Sequence, residues 1–162
     1  MVGIVIGLVV FWPRMSVEAS SQIDAAAPTG ITMTITNTGW MPLRNLQPIL
    51  GVGVIAIGTG PPVKDFDFNG PMQSKIAYTR WFTKTLAIDE KYQIRLDASG
   101  PKANDGLFYF SPGSGPLGKL DFSLIIAYNP WIIPIRGEKE FRFVSRLESN
   151  GMLTLMARPV TR

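Results

Sequence analysis

The sequence predicts an all-β protein: one antiparallel β-sandwich of about seven or eight short strands behind an apolar N-terminal helix. Three observations predict it. Apolar and polar side chains alternate along residues 31–36 and again along 120–128, which is the period-2 signature of a half-buried strand. The 16 Gly and 13 Pro are spread through the 162 residues, as turn punctuation between short strands would be. No convincing helical pattern follows residue 13.

Composition bounds the chemistry. The length suits one domain, and with 46% hydrophobic and 17% charged residues the chain can build a core rather than remain a disordered polymer. The net charge of +4 is carried by single Lys and Arg residues without a run. That describes a mildly basic surface better than a nucleic-acid face, which clusters its bases. There is no Cys and no His. Disulfides, thiol nucleophiles and thiolate metal sites are therefore excluded, and so are the commonest general base and metal ligand. Catalysis would have to rest on carboxylates, Lys, Tyr or Ser. The chain is expected to be non-enzymatic, with no cofactor and no nucleic-acid partner.

Residues 1–12, MVGIVIGLVVFW, are apolar and end at Pro13-Arg14. Phe11 and Trp12 before a cation resemble a membrane-interface belt. Twelve residues span only about 18 Å as a helix, short of a roughly 30 Å hydrocarbon core. Three readings follow: the back end of a transmembrane helix that starts upstream, a short anchor or signal peptide, or a buried first strand. No Lys or Arg precedes the run, which argues against the signal peptide. A single-pass membrane anchor over 1–13 is adopted, truncated or whole.

Residues 14–30 then read as a short strand, MSVEAS, and a small-residue linker. The β-sandwich domain is assigned to 31–162. Its opening strand places Ile31, Met33 and Ile35 inward and Thr32, Thr34 and Thr36 outward, and Asn37-Thr38-Gly39 turns the chain into a first hairpin or corner. Residues 47–57 form a long apolar run whose Pro48 belongs at an edge or bulge, because Pro cannot donate to a ladder. Residues 59–71 are a turn-rich crossing, and 74–86 are rich in β-branched and aromatic residues. Asp89-Glu90-Lys91 turns into Tyr92, Ile94 and Leu96, a hairpin arm. Leu120, Phe122, Leu124, Ile126 and Tyr128 share one face of the strongest later strand, and Asn129-Pro130-Trp131 ends it. Phe141 and Phe143 lie on the next strand, and Ser149-Asn150-Gly151 makes a tight hairpin into residues 152–156. Seven or eight strands with these turns describe a sandwich that is immunoglobulin-like in the broad sense, without that fold's Cys pair.

Three stretches carry a resemblance: Trp12-Pro13-Arg14 followed by Ser16-Val17-Glu18, the segment ITNTGWMPLRNL, and AYNPWIIPIRGEKEFRF at 127–143. Together they resemble a group of uncharacterised bacterial proteins with an N-terminal transmembrane helix and a small immunoglobulin-like β-sandwich domain. The resemblance implies architecture and membrane attachment, and no activity. The N-x-G-x-x-P-L turn at Asn37 also resembles, more weakly, turns of extracellular adhesion modules and late-embryogenesis-abundant domains, and fold does not imply function.

Each candidate site has a plain structural reading beside it. Asp65, Asp67 and Asn69 alternate in DFDFNG and offer oxygen ligands to Ca²⁺, yet no Glu follows at EF-hand distance and an exposed strand face explains them as well. Gly51, Gly53 and Gly58 lack phosphate-loop spacing, and Ser114 has no His to activate it. Trp131, in a Pro-rich loop, and Trp40 are the aromatic candidates for partner binding. Arg136, Lys139, Arg142, Arg146, Arg158 and Arg162 make the C-terminal hairpin basic, but Glu138, Glu140 and Glu148 offset them as a solvated mixed face.

The function expected is a membrane-anchored interaction or structural module of the bacterial envelope, with another protein as partner. The alternative is a binding domain for a small ligand, glycan or lipid headgroup. Arg14 argues for a cytoplasmic domain by the positive-inside rule. Analogy with envelope domains of this architecture argues for an extracytoplasmic one, which is adopted.

Overall fold

The computed structural model describes residues 13–20, 22–26, 31–57, 63–64, 77–79, 84–97, 106–108, 116–130 and 135–160. Among them the chain is all β, in two sheets. The smaller sheet holds β1 (Met15–Ala19), β3 (Thr32–Asn37), β8 (Lys91–Asp97) and β9 (Gly106–Phe108), in the order β1-β3-β8-β9. The larger sheet runs β2 (Gln22–Asp24), β12 (Met152–Arg158), β11 (Gly137–Leu147), β10 (Leu117–Pro130) and β4 (Leu43–Ile57). Along the outer edge of β4 lie β5 (Val63–Lys64), β6 (Ala77–Thr79) and β7 (Lys84–Leu86). All described pairings are antiparallel except β8 with β9.

The alternation read in the sequence decides which sides meet. Ile31, Met33 and Ile35 are fully buried, and Ile94 joins them from β8. Leu120, Phe122, Leu124, Ile126 and Tyr128 of β10 meet Leu43, Leu46 and Leu50 of β4 in the same apolar cluster, so one core is shared by both sheets. Phe122 stacks on Phe143, directly across the β10–β11 ladder, with ring centroids 5.3 Å apart. Offset aromatic pairs of this kind add to the stability gained by area burial alone.

The strand assignments at 15–20, 31–37, 120–128 and 141–156 match the structure, and Ser149–Gly151 does close the β11–β12 hairpin. Gly151 adopts a φ of 80°, a left-handed conformation that Gly alone takes without cost. Two expectations are corrected. Residues 22–24, read as linker, form β2, whose Ile23 is buried and pairs with Leu153; three residues are too few to show periodicity. The turn before β8 is not a hairpin. β7 pairs with β4 in the larger sheet while β8 pairs with β3 in the smaller, so residues 87–90 cross between sheets. β3 and β4 also lie in different sheets, so of the two readings of residues 38–42, hairpin or corner, the corner holds.

Pro48 sits within β4, between the stretch that pairs with β7, up to Leu46, and the stretch that pairs with β6, from Ile49. A residue without an N–H costs least in such an interval. Asn45 has a φ of 52° beside the register shift between Leu43 and Leu46. Asn tolerates that region better than most residues, as a bulge requires. The expected N-terminal helix falls on residues outside the described ones, and no helix among the described residues is long and apolar enough to cross a membrane.

Candidate functional site

One end of the sandwich gathers more chemistry than the rest. The register places it: Met15 pairs with Asn37, Thr36 with Lys91, Leu43 with both Leu86 and Pro130, and Tyr128 with Gly137. The start of β1, the corner 38–42, the crossing 87–90 and the entry to β11 therefore share one end. Lys139 ties the sheets together there, its Nζ donating to the Met15 carbonyl at 2.9 Å.

Asn37 holds this end closed. Its side chain is fully buried, and its Nδ2 donates to the carbonyls of Met41, Leu86 and Ala87 at 2.8, 3.2 and 3.1 Å. Its Oδ1 accepts the Gly39 N–H at 3.1 Å. The Asn37 backbone completes the tie, donating to the Glu90 carbonyl and accepting from the Asp89 N–H. Local Asx-turn chemistry explains only the Gly39 bond; the Met41 bond closes the corner four residues on, and those to Leu86 and Ala87 reach across 49 and 50 residues of chain. Gly39 is required because an added Cβ would lie 2.8 Å from the Arg14 backbone nitrogen.

The structure separates the two aromatic candidates. Trp131 lies outside the described residues, as do Asp65, Asp67 and Asn69. Trp40 is 68% exposed between buried Gly39 and Met41, so its ring stands at the surface. Two residues that the pattern of the sequence does not single out join it at this end: Ile88 and Ile135, 48% and 70% exposed. An apolar residue in a turn is a faint signal, since single exposed hydrophobics are common. Here the topology brings three to one end.

The basic C-terminal hairpin is mostly the solvated mixed face expected, with Arg136–Glu138 and Arg146–Glu148 contacts at 3.5 and 3.7 Å. Arg142 departs from it. Its side chain is buried and its Nε donates to Glu140 Oε1 at 2.7 Å, the same oxygen that accepts the Ser123 hydroxyl at 2.8 Å. Arg142 and Glu140 lie two apart on one face of β11, and Ser123 stands opposite Arg142 on β10. Buried charges persist only when paired and hydrogen-bonded. The cluster therefore reads as a structural tie. Asp121 and Ser145 make a similar exchange where β10 bulges: Asp121 Oδ1 accepts the Ser145 N–H at 3.0 Å, and Ser145 Oγ accepts the Leu120 N–H at 2.7 Å.

Three groups at this end have pKa values displaced from the ordinary ones. The Ala87 N–H, then Lys84, hold the Glu90 carboxyl below its usual value. Burial, then Arg14, pushes the Lys139 ammonium down. Burial raises the Tyr128 phenol above the ordinary 10.0; its ring lies over Gly137, where an added Cβ would approach within 2.8 Å. Since the fold favours the neutral phenol, the Tyr128 contribution to stability is complete below pH 10 and is lost as pH rises from there towards the folded-state value. The absorbance of tyrosinate at 295 nm is expected to show a late component in the parent that Tyr128→Phe lacks, and the parent is expected to lose more stability than the variant above pH 10.

Among the described residues no group of three His, Cys, Asp or Glu side chains could hold a metal ion. No family model, curated protein or solved structure matches the chain.

Proposed function

We propose that the chain is a non-enzymatic, membrane-anchored module of the bacterial envelope, an immunoglobulin-like sandwich in the broad sense, whose anchor over 1–13 is built on the apolar segment 1–12. The observation that carries this reading is how that segment meets the fold. It is followed at once by Pro13 and Arg14, and the Arg14 carbonyl accepts the Thr38 N–H at 3.1 Å before β1 begins at Met15. An anchor there tethers a folded domain with no flexible spacer, as suits a part that presents a surface at a fixed height. The absence of His and Cys supports an interaction role over a catalytic one. The domain is proposed to face outward.

Flotation of crude membranes through a sucrose gradient tests the reading. The full chain is expected to float with the membranes, and replacing Val5 and Val9 with Asp is expected to release it, since carboxylates cost several kcal/mol in hydrocarbon. A full chain that stays in the soluble fraction contradicts the anchor. A phosphatase fusion at Arg162 tests the side: activity is expected, and an inactive fusion of normal abundance contradicts the outward placement.

A further inference from the structure

We propose that the end of the sandwich bearing Trp40, Ile88 and Ile135 rests directly on an anionic lipid surface. The inference rests on the membrane attachment proposed above, and adds to it an orientation for the domain and the residues that make a second contact with lipid.

Three arguments converge on this end. The first is where the apolar tips lie. Trp40, Ile88 and Ile135 come from three separate connections, 38–42, 87–90 and the residues before β11. At the opposite end, where Ala25 bonds Gly151, the described large hydrophobic that is exposed is Leu147, and Met156 lies on a strand. The second is that the backbone under two of these tips is fixed. Asn37 binds the carbonyls of Met41 and Ala87, the residues beside Trp40 and Ile88, so both side chains project from anchored loops. The third is connectivity. The apolar segment 1–12 joins the fold at Pro13-Arg14, and Arg14 is bonded to this same corner. If that segment enters a bilayer, this end is held against the headgroups at high effective concentration.

The side chains suit that setting. Trp is the residue type that sits at the level of lipid headgroups, apolar in its body and polar at its N–H. Arg14, Lys84, Lys91, Arg136 and Lys139 stand at this end against Asp89, Glu90 and Glu138, and a surplus of cations favours anionic lipid. A protein partner would explain an exposed Trp equally well, but not why three tips cluster where the apolar segment joins. Lipid is the occupant that connectivity favours.

The lack of cysteine makes the test direct. The full chain carrying Thr38→Cys beside Trp40, or Ser149→Cys at the opposite end, is labelled with an environment-sensitive fluorophore. Each is reconstituted into vesicles of phosphatidylcholine and phosphatidylglycerol with brominated acyl chains, and vesicle-bound chain is collected by flotation. The expected result is a blue-shifted probe at position 38, quenched several-fold more than the probe at position 149. Adding Trp40→Ser and Ile135→Ser is expected to return the probe at 38 to an aqueous spectrum, with the circular dichroism of the fold unchanged.

If the chain floats but the probe at 38 stays aqueous, the orientation is overturned while the anchor stands, and the end is free for a protein partner. Equal quenching at both positions also overturns it. If the chain does not float, the anchor fails, and this inference falls with it.

Discussion

Asn37→Ala is expected to destabilise the domain by about 3–4 kcal/mol, since each buried polar group left without a partner costs about 1–3 kcal/mol and relaxation recovers part of the sum. For a domain of this size that lowers the thermal midpoint by roughly 10 °C. The substitution removes an amide that serves three carbonyls and one N–H at a fully buried position. Those carbonyls belong to Met41 on the corner and to Leu86 and Ala87 on the crossing, so both loops loosen together. Asn37→Asp separates hydrogen bonding from packing. A protonated Asp keeps one O–H donor, whereas a carboxylate only accepts and would face three carbonyl oxygens. Its folded-state pKa is therefore raised above the ordinary value of about 3.9, so its contribution is complete below that value and is lost as pH rises through it. Relative to the parent, Asn37→Asp is expected to be milder in acid than at neutral pH, while Asn37→Ala shows no such trend. Urea unfolding at several pH values measures both. A loss under about 1 kcal/mol for Asn37→Ala at neutral pH would contradict the assignment.

Phe122→Ala is expected to cost about 3–5 kcal/mol, the range for deleting a fully buried aromatic ring. Phe122 lies on β10, whose ladders to β4 and β11 form the centre of the larger sheet, and it stacks on Phe143 across the second of these. Its removal takes away transfer free energy, the stacked pair and the filling of the space between the sheets. Because β10 is tied on both sides, little collapse can close the cavity. Equilibrium unfolding in urea should show the midpoint falling with the slope unchanged, the sign of a change in stability rather than in denatured-state compactness. Met156→Ala, on the exposed part of β12, serves as the comparison and is expected to stay within about 0.5 kcal/mol. Similar losses for the two would mean that the sheets do not pack through Phe122.

What the sequence disclosed and what it concealed follow the range of the interactions involved. β3 and β10 were legible because alternation is written within one run of residues, and the β11–β12 hairpin because Ser149-Asn150-Gly151 decides its turn locally. The allocation of strands to sheets was not. β7 and β8 are four residues apart yet belong to different sheets, and the groups that determine this, Leu43 beneath Leu86 and Asn37 beneath Ala87, lie more than forty residues away. Asn37 itself was read as turn geometry. Its bond to Gly39 is local and visible in the N-x-G spacing, while its larger role depends on carbonyls that any residue would carry. Trp40 was singled out as an aromatic in a turn, but only the buried neighbours on either side make it project. Ile88 and Ile135 bear no pattern, and they acquire meaning from the pairings that bring their loops together. Arg142 was counted with a solvated basic face because a sequence does not show that Ser123 would lie opposite it.

The claim on which the orientation depends is that the corner 38–42 and the entry to β11 share one end of the molecule, away from the Ser149–Gly151 hairpin. Pulsed electron–electron spin resonance between nitroxides measures this directly, since the chain has no cysteine to interfere. The pair Trp40→Cys with Ile135→Cys is expected to report a separation of about 20 Å or less, a few strand spacings of about 4.8 Å plus the label arms. The pair Trp40→Cys with Asn150→Cys is expected to report roughly 35 Å or more, since β11 runs eleven residues between those ends at about 3.3 Å each. Two similar distances, or the reverse order, would contradict the account.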